Sequence, residues 1–154
     1  MGAAIDAIDA SADFINENKR VIFVPFLYFF LSFLVIAAWM VAIVVVVSLN
    51  DVEASEDIPQ GKTIKWTSDF NYYAVWYMIF GLLWILNWLD CTSAFVVQVS
   101  SATYYFNSSE NGEGQAEFSK GFRMAYLHHL GSIAIGAFII ALIQFIKIVF
   151  VYTA

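Results

Sequence analysis

The stretch "NWLDC", residues 87–91, places a carboxylate, Asp90, in a run that is otherwise uncharged from Phe70 to Ser109. An ionisable side chain within a membrane span is costly and points by default to a functional site. On a helix advancing about 100° per residue, Asn87, Asp90, Ala94, Gln98 and Ser101 share an arc of about 80°. Tyr73, Tyr77, Trp84 and Trp88 occupy the adjoining arc. An aspartate beside indole and phenol faces suits a quaternary ammonium ligand, through ion pairing and cation–π attraction. Tyr77, Trp84, Asn87, Trp88 and Asp90 are therefore the candidate ligand-binding residues. The same residues have a structural reading. Asn and Gln tie helices together by hydrogen bonds, and Tyr72, Tyr73, Trp76 and Tyr77 could form an interfacial belt.

A second group lies in "YLHHLGSIAIGAFIIALIQFIKIVF", residues 126–150. His129, Ser132, Gly136, Gln144 and Lys147 share an arc of about 120°. Ser132 and Gly136 form a small-xxx-small pair that would let another helix come close. His128 and His129 are adjacent and point about 100° apart, so one helix cannot aim both at one metal. They also lack a partner nucleophile for acid–base work. Helix capping or hydrogen bonding to a neighbouring helix is the expected role. The sequence contains no Gly-rich phosphate loop, nucleophile elbow or paired-carboxylate site. Neither an enzyme, a metal site nor a cofactor is expected.

The elements that must carry these residues follow from composition. Of 154 residues, 61% are hydrophobic and 13% charged, against about 45–50% apolar and about 25% charged in a soluble domain. Three stretches stand out: Val21–Asn50 and Phe70–Leu89 carry no charge, and Met124–Ile146 carries none beyond its two His. Each reaches the roughly 20 residues that span a bilayer as helix. The expected fold is an all-α integral membrane protein with three transmembrane helices, at about 21–49, 70–98 and 124–152. These join through loops 50–69 and 107–123. An amphipathic helix over 1–20 precedes the membrane region of 21–154. The lipid bilayer and other membrane helices or subunits are the expected partners. A net charge of −6 excludes nucleic acid, because no surface could neutralise its phosphates.

Residues 3–20 alternate Ile5, Ile8, Ala12 and Ile15 with Asp6, Asp9, Asp13 and Glu17 at helical spacing. The expectation is a helix packed on neighbouring protein. The first twenty residues lack the basic start and apolar core of a cleavable signal, and Asp6 spoils a myristoylation signal. Pro25 falls in the first turns of span one, where a missing N–H is tolerated. The β-branched run "VAIVVVVSL" reads as helix, because lipid forces every backbone group to be satisfied within the segment. In the first loop, Pro59 and Gly61 mark a turn. As helix, Phe70–Phe106 would be on the order of 55 Å long, beyond the hydrocarbon core of about 30 Å. Part of it must project, tilt or kink. Cys91 reads as a small buried apolar residue. Lys19–Arg20 and Lys120/Arg123 place the N-terminus and second loop on one side, taken as cytosolic. The Asn107-Ser108-Ser109 sequon would stay bare there.

Taken in order, these segments resemble the choline transporter-like family. "YLHHLGSIAIGAFIIALIQFIKIVF" is similar to the family segment opening on an Arg-Tyr-His-Leu-Gly-Ser type motif. "WYMIFGLLWILNWL" resembles its aromatic span, and "ATYYF" the end of that span. "AIDAIDASADFINENKRVIFVPFLYFF" resembles the Ala- and Ser-rich helix leading into a Pro-containing span. The chain departs from the family pattern at Gln98–Val99, where an Ala-Gly pair is usual, and in its acidic first loop without Cys. The resemblance implies movement of choline or a related amine without ATP. It also implies further spans on both sides, so that this chain corresponds to the middle of a transporter domain, partial or reduced. The competing expectation is a non-transporting structural or accessory subunit of a larger membrane assembly.

Overall fold

The computed structural model describes residues 2–49, 51–54, 62–65, 69–107 and 116–153. The expected turn at Pro59–Gly61 and the Ser108–Ser109 part of the sequon lie outside them. The membrane region is all-α, with three helices long and apolar enough to cross a bilayer: Lys19–Ser48, Tyr72–Asn107 and Leu130–Thr153.

Helix α1 runs from Gly2 to Glu17. A 3-10 turn at Lys19–Ile22 joins it to α2, Phe23–Ser48. Pro25 sits in the first turn of α2, where its missing N–H removes no intrahelical bond. The residues of α2 that lose solvent form one stripe: Val24, Tyr28, Ser32, Val35, Trp39, Ile43 and Val46. Steps of three and four are the helical repeat, and this stripe meets the third helix. Phe23, Phe26, Phe29, Phe30 and Phe33 stand exposed on other faces, as lipid-facing side chains would.

Two segments within the stretch expected to be the first loop pair as strands. Strand β1, Asp51–Ala54, pairs antiparallel with β2, Lys62–Lys65, in a register that sets Asp51 opposite Lys65 and Val52 opposite Ile64. The period-two patterns "DVEA" and "KTIK" were the available signal.

Helix α3 spans Asp69–Asn107, 39 residues, or about 58 Å at 1.5 Å per residue. Its excess length projects past the other spans. Phe14 of α1 packs on Tyr104 with ring centroids 5.2 Å apart, and Tyr104 donates its hydroxyl proton to Glu17. The Ala116 amide donates to Asn18 Oδ1 at 3.3 Å, and the Glu117 amide to Thr103 Oγ1 at 3.2 Å. Of the α1 face expected to pack, Ile5, Ile8 and Ile15 are exposed, and Phe14 is the buried anchor instead. The helix touches the rest of the chain mainly through its last turn.

A short helix α4, Phe118–Arg123, lies within the stretch expected to be loop. It passes through a π turn at Met124–His128 into α5, Leu130–Thr153. In that turn the His129 amide donates to Met124 O at 3.0 Å, five residues back. The third spanning helix thus begins at Leu130 rather than in a continuous helix from Met124.

Two packing zones hold the helices. Near α1, Val24, Tyr28, Leu89, Val96 and Ala125 form a buried cluster joined by Phe95, Phe118 and Phe122. Gly121 is the close approach there: a Cβ would stand 3.0 Å from Val96 O and 3.3 Å from Ser100 Oγ. Toward the other end, α3 and α5 meet along an aromatic seam. Phe80 packs edge-on to Phe138 and Phe145, each at 5.5 Å, and Trp76 packs edge-on to Tyr152 at 5.3 Å. Such pairs contribute about 0.5–1.5 kcal/mol each beyond area burial.

Candidate functional site

The five candidate ligand residues of α3 do not line one cavity. Trp84 and Asn87 are engaged with α5. Trp84 Nε1 donates to Ala134 O at 3.1 Å, and its ring meets Phe138 edge-on at 5.4 Å. Asn87 Nδ2 donates to Gln144 Oε1 at 2.8 Å and to Leu83 O at 2.8 Å. An indole or amide N–H facing hydrocarbon must find an acceptor, and α5 supplies both. Tyr77 is 78% exposed. Trp88 is half-buried, and its carbonyl accepts the Thr92 hydroxyl at 2.7 Å.

Asp90 faces elsewhere. It lines a groove of about 610 Å³ between α2 and α3, with Tyr28, Phe29, Ser32, Ser93 and Gln98 among the walls. Asp90 and Gln98 are exposed in it, and Tyr28 is buried. Among the described residues, no hydrogen bond or ion pair engages the Asp90 carboxylate. The aromatic residues beside it thus come from α2. Tyr28 is held in place by a 3.0 Å hydroxyl–hydroxyl bond to Tyr126 and by stacking on Phe122, 6.4 Å between centroids and 10° between planes. A single-helix wheel could not show this wall. A signal existed, because Tyr28 and Ser32 stand four residues apart in an otherwise apolar span and so share a face.

The small residues of α5 also differ from expectation. An added Cβ at Gly136 would meet nothing within 4 Å, and Ser132 is exposed with its hydroxyl donating to His129 O at 3.0 Å. Ala137 and Ala141 are fully buried instead. They form the i, i+4 pair that lets α5 approach, one position round the helix from Gly136. The aromatic seam sets this phase, because Ala134, Phe138 and Phe145 must face α3 together. His129 caps the π turn and lies tilted against Phe95 at 5.2 Å, while His128 is exposed. Cys91 is half-buried.

The geometry is thus three spanning helices, a groove between α2 and α3 that Asp90 lines, and a long α3 packed on α1. The family model described as plasma-membrane choline transporter matches residues 1–154. The chain belongs to that family. It is 26% identical to choline transporter-like protein 1 of Xenopus laevis over 131 residues, 85% of this chain and 20% of the relative. It is 26% identical to choline transporter-like 2 of Drosophila melanogaster over 104 residues, 68% of this chain and 12% of that protein. To human choline transporter-like protein 3 it is 22% identical over 139 residues, 88% and 21% of the respective lengths. The chain thus spans about a fifth or less of the length of these relatives. No solved structure matches it. Family membership and three helices of spanning length make it an integral membrane protein.

Proposed function

We propose that this chain forms part of the wall of a pathway that moves choline or a related quaternary amine across a membrane without ATP. The α2–α3 groove around Asp90 is its cation-contacting surface. The observation that carries the reading is the carboxylate of Asp90, unpaired among the described residues, in a groove whose lining comes from α2 and α3. A quaternary amine cannot shed its charge by losing a proton and carries no N–H. It asks for a fixed negative charge and aromatic surfaces, each cation–π contact being worth roughly 0.5–2 kcal/mol. Asp90 supplies the first, and the exposed ring of Phe29 the second, with the buried Tyr28 forming the floor behind it. Trp84 and Asn87 serve this surface by holding α5 beside it. Tyr77 and Trp88 are further aromatic surfaces on the same helix. The face bearing Lys147 is disfavoured, because its charge repels a cation. Membership in a transporter family supports transport over the accessory-subunit reading.

The test is choline uptake into vesicles containing this chain, driven by a choline gradient with no ATP. Uptake above empty vesicles is expected, with Asp90→Asn reducing it about tenfold, the equivalent of roughly 1.4 kcal/mol, at equal membrane levels. Uptake unchanged in Asp90→Asn would remove Asp90 from the pathway. Uptake no greater than in empty vesicles would overturn transport by this chain.

A further inference from the structure

Four of the chain's seven Lys and Arg residues, Lys19, Arg20, Lys120 and Arg123, gather where α1, the start of α2 and α4 meet. Lys120 and Arg123 are three apart on α4 and so share a face. The opposite side of α4 is pinned to the core, through Gly121 against Val96 and through Phe118 and Phe122 packed against the buried cluster. Arg20, Lys120 and Arg123 wall a cavity of about 660 Å³, whose lining also includes Glu117 and Ser119. An adjoining cavity shares Arg20 and Phe118 and reaches Asn18, Lys19 and Glu17. Glu17 already accepts from Tyr104. Asn18 Nδ2 is buried there without a hydrogen-bond partner. Among the described residues, no ion pair engages Arg20, Lys120 or Arg123. The cavity is therefore rich in unspent donors of positive charge within a chain of net charge −6.

Its level decides the ligand. Ile22, Phe23 and Phe26 follow Arg20 as exposed apolar side chains, and Leu127 follows Arg123 in the same way. The cations thus stand directly at the edge of the lipid-facing surface, where phospholipid phosphates lie. We propose that the cavity walled by Arg20, Lys120 and Arg123 binds the headgroup of an anionic phospholipid in the leaflet at the α1 end. Basic pockets between membrane helices recognise such headgroups by charge-assisted hydrogen bonds. The acyl chains would then continue along the exposed Phe23, Phe26 and Leu127. A free phosphate ion would gain the charges but not this apolar continuation.

The experiment titrates the whole chain, in neutral detergent, with dioctanoyl-phosphatidylserine and counts bound lipid by native mass spectrometry. Dioctanoyl-phosphatidylcholine and inorganic phosphate form the comparison arms. Saturable binding of phosphatidylserine is expected, at least tenfold tighter than of phosphatidylcholine. Arg20→Gln, Lys120→Gln and Arg123→Gln should each weaken it about fivefold. Glu117→Gln should tighten it, while Lys120→Arg and the distant Lys147→Gln should leave it unchanged. Unfolding midpoints in phosphatidylcholine identify any variant that simply fails to fold. Equal affinity for the two lipids overturns the proposal, as does indifference to all three Gln variants. Phosphate binding as tight as phosphatidylserine would reassign the cavity to a soluble anion.

Discussion

Asn87 on α3 donates to Gln144 Oε1 on α5 at 2.8 Å, a polar tie between two spanning helices fifty-seven residues apart in sequence. It decides how α3 divides its polar stripe. The amide that could have faced a ligand is used to hold α5, while Asp90 remains open. Asn87→Leu or Gln144→Leu should each lower resistance to unfolding in detergent by about 0.6–1.7 kcal/mol. The double Leu variant should recover part of the loss, because no amide is then left unpartnered. Strictly additive losses would show that the two amides are not coupled.

Gly121 of α4 and Gly136 of α5 should behave oppositely. Gly121→Ala forces a Cβ to 3.0 Å from the Val96 carbonyl, and overpacking of this kind costs about 1–3 kcal/mol. Gly136→Ala meets open space and should leave the unfolding midpoint of this chain unaltered or slightly raised, Ala being the better helix former. The reverse ranking in thermal melts would refute the packing of α4 on α3.

The Tyr28–Tyr126 hydroxyl pair should register in a double-mutant cycle. Tyr28→Phe removes one partner of a 3.0 Å bond whose Tyr28 side is buried. The expected loss is about 1 kcal/mol. Tyr126→Phe should then add little in the Tyr28→Phe background. Independent effects would mean that the hydroxyls act separately.

Membrane orientation is open to chemical labelling. With Cys91→Ala as background, a membrane-impermeant thiol reagent applied from outside the cell should modify Ser55→Cys and miss Ser109→Cys. That outcome is expected if the end of the helices that carries Lys19, Arg20, Lys120 and Arg123 faces the cytosol, as the positive-inside rule predicts. Labelling at Ser109→Cys alone would invert the orientation.

The uncharged runs by themselves determined that three helices cross a membrane, because in lipid a backbone must satisfy its own hydrogen bonds. The positions of Lys19–Arg20 and Lys120/Arg123, separated by two crossings, likewise determined that these cations share an end. The length of α3 required that part of it project, tilt or kink, and the structure packs its last turns on α1 through Tyr104 and on the start of α4 through Thr103. A helical wheel also gave correct angles between Asn87, Asp90 and Trp84. It could not say where the neighbouring helices stand around them. That azimuth is set by side-chain packing between helices, since hydrocarbon solvates apolar faces as well as protein does. The tertiary structure alone therefore decided that Trp84 and Asn87 meet α5 and that Asp90 opens beside Tyr28. It likewise decided that Ala137, one residue on from Gly136, takes the close contact. The same limit hid Gly121, which reads as a loop glycine until α4 folds onto Val96 and leaves no room for a side chain.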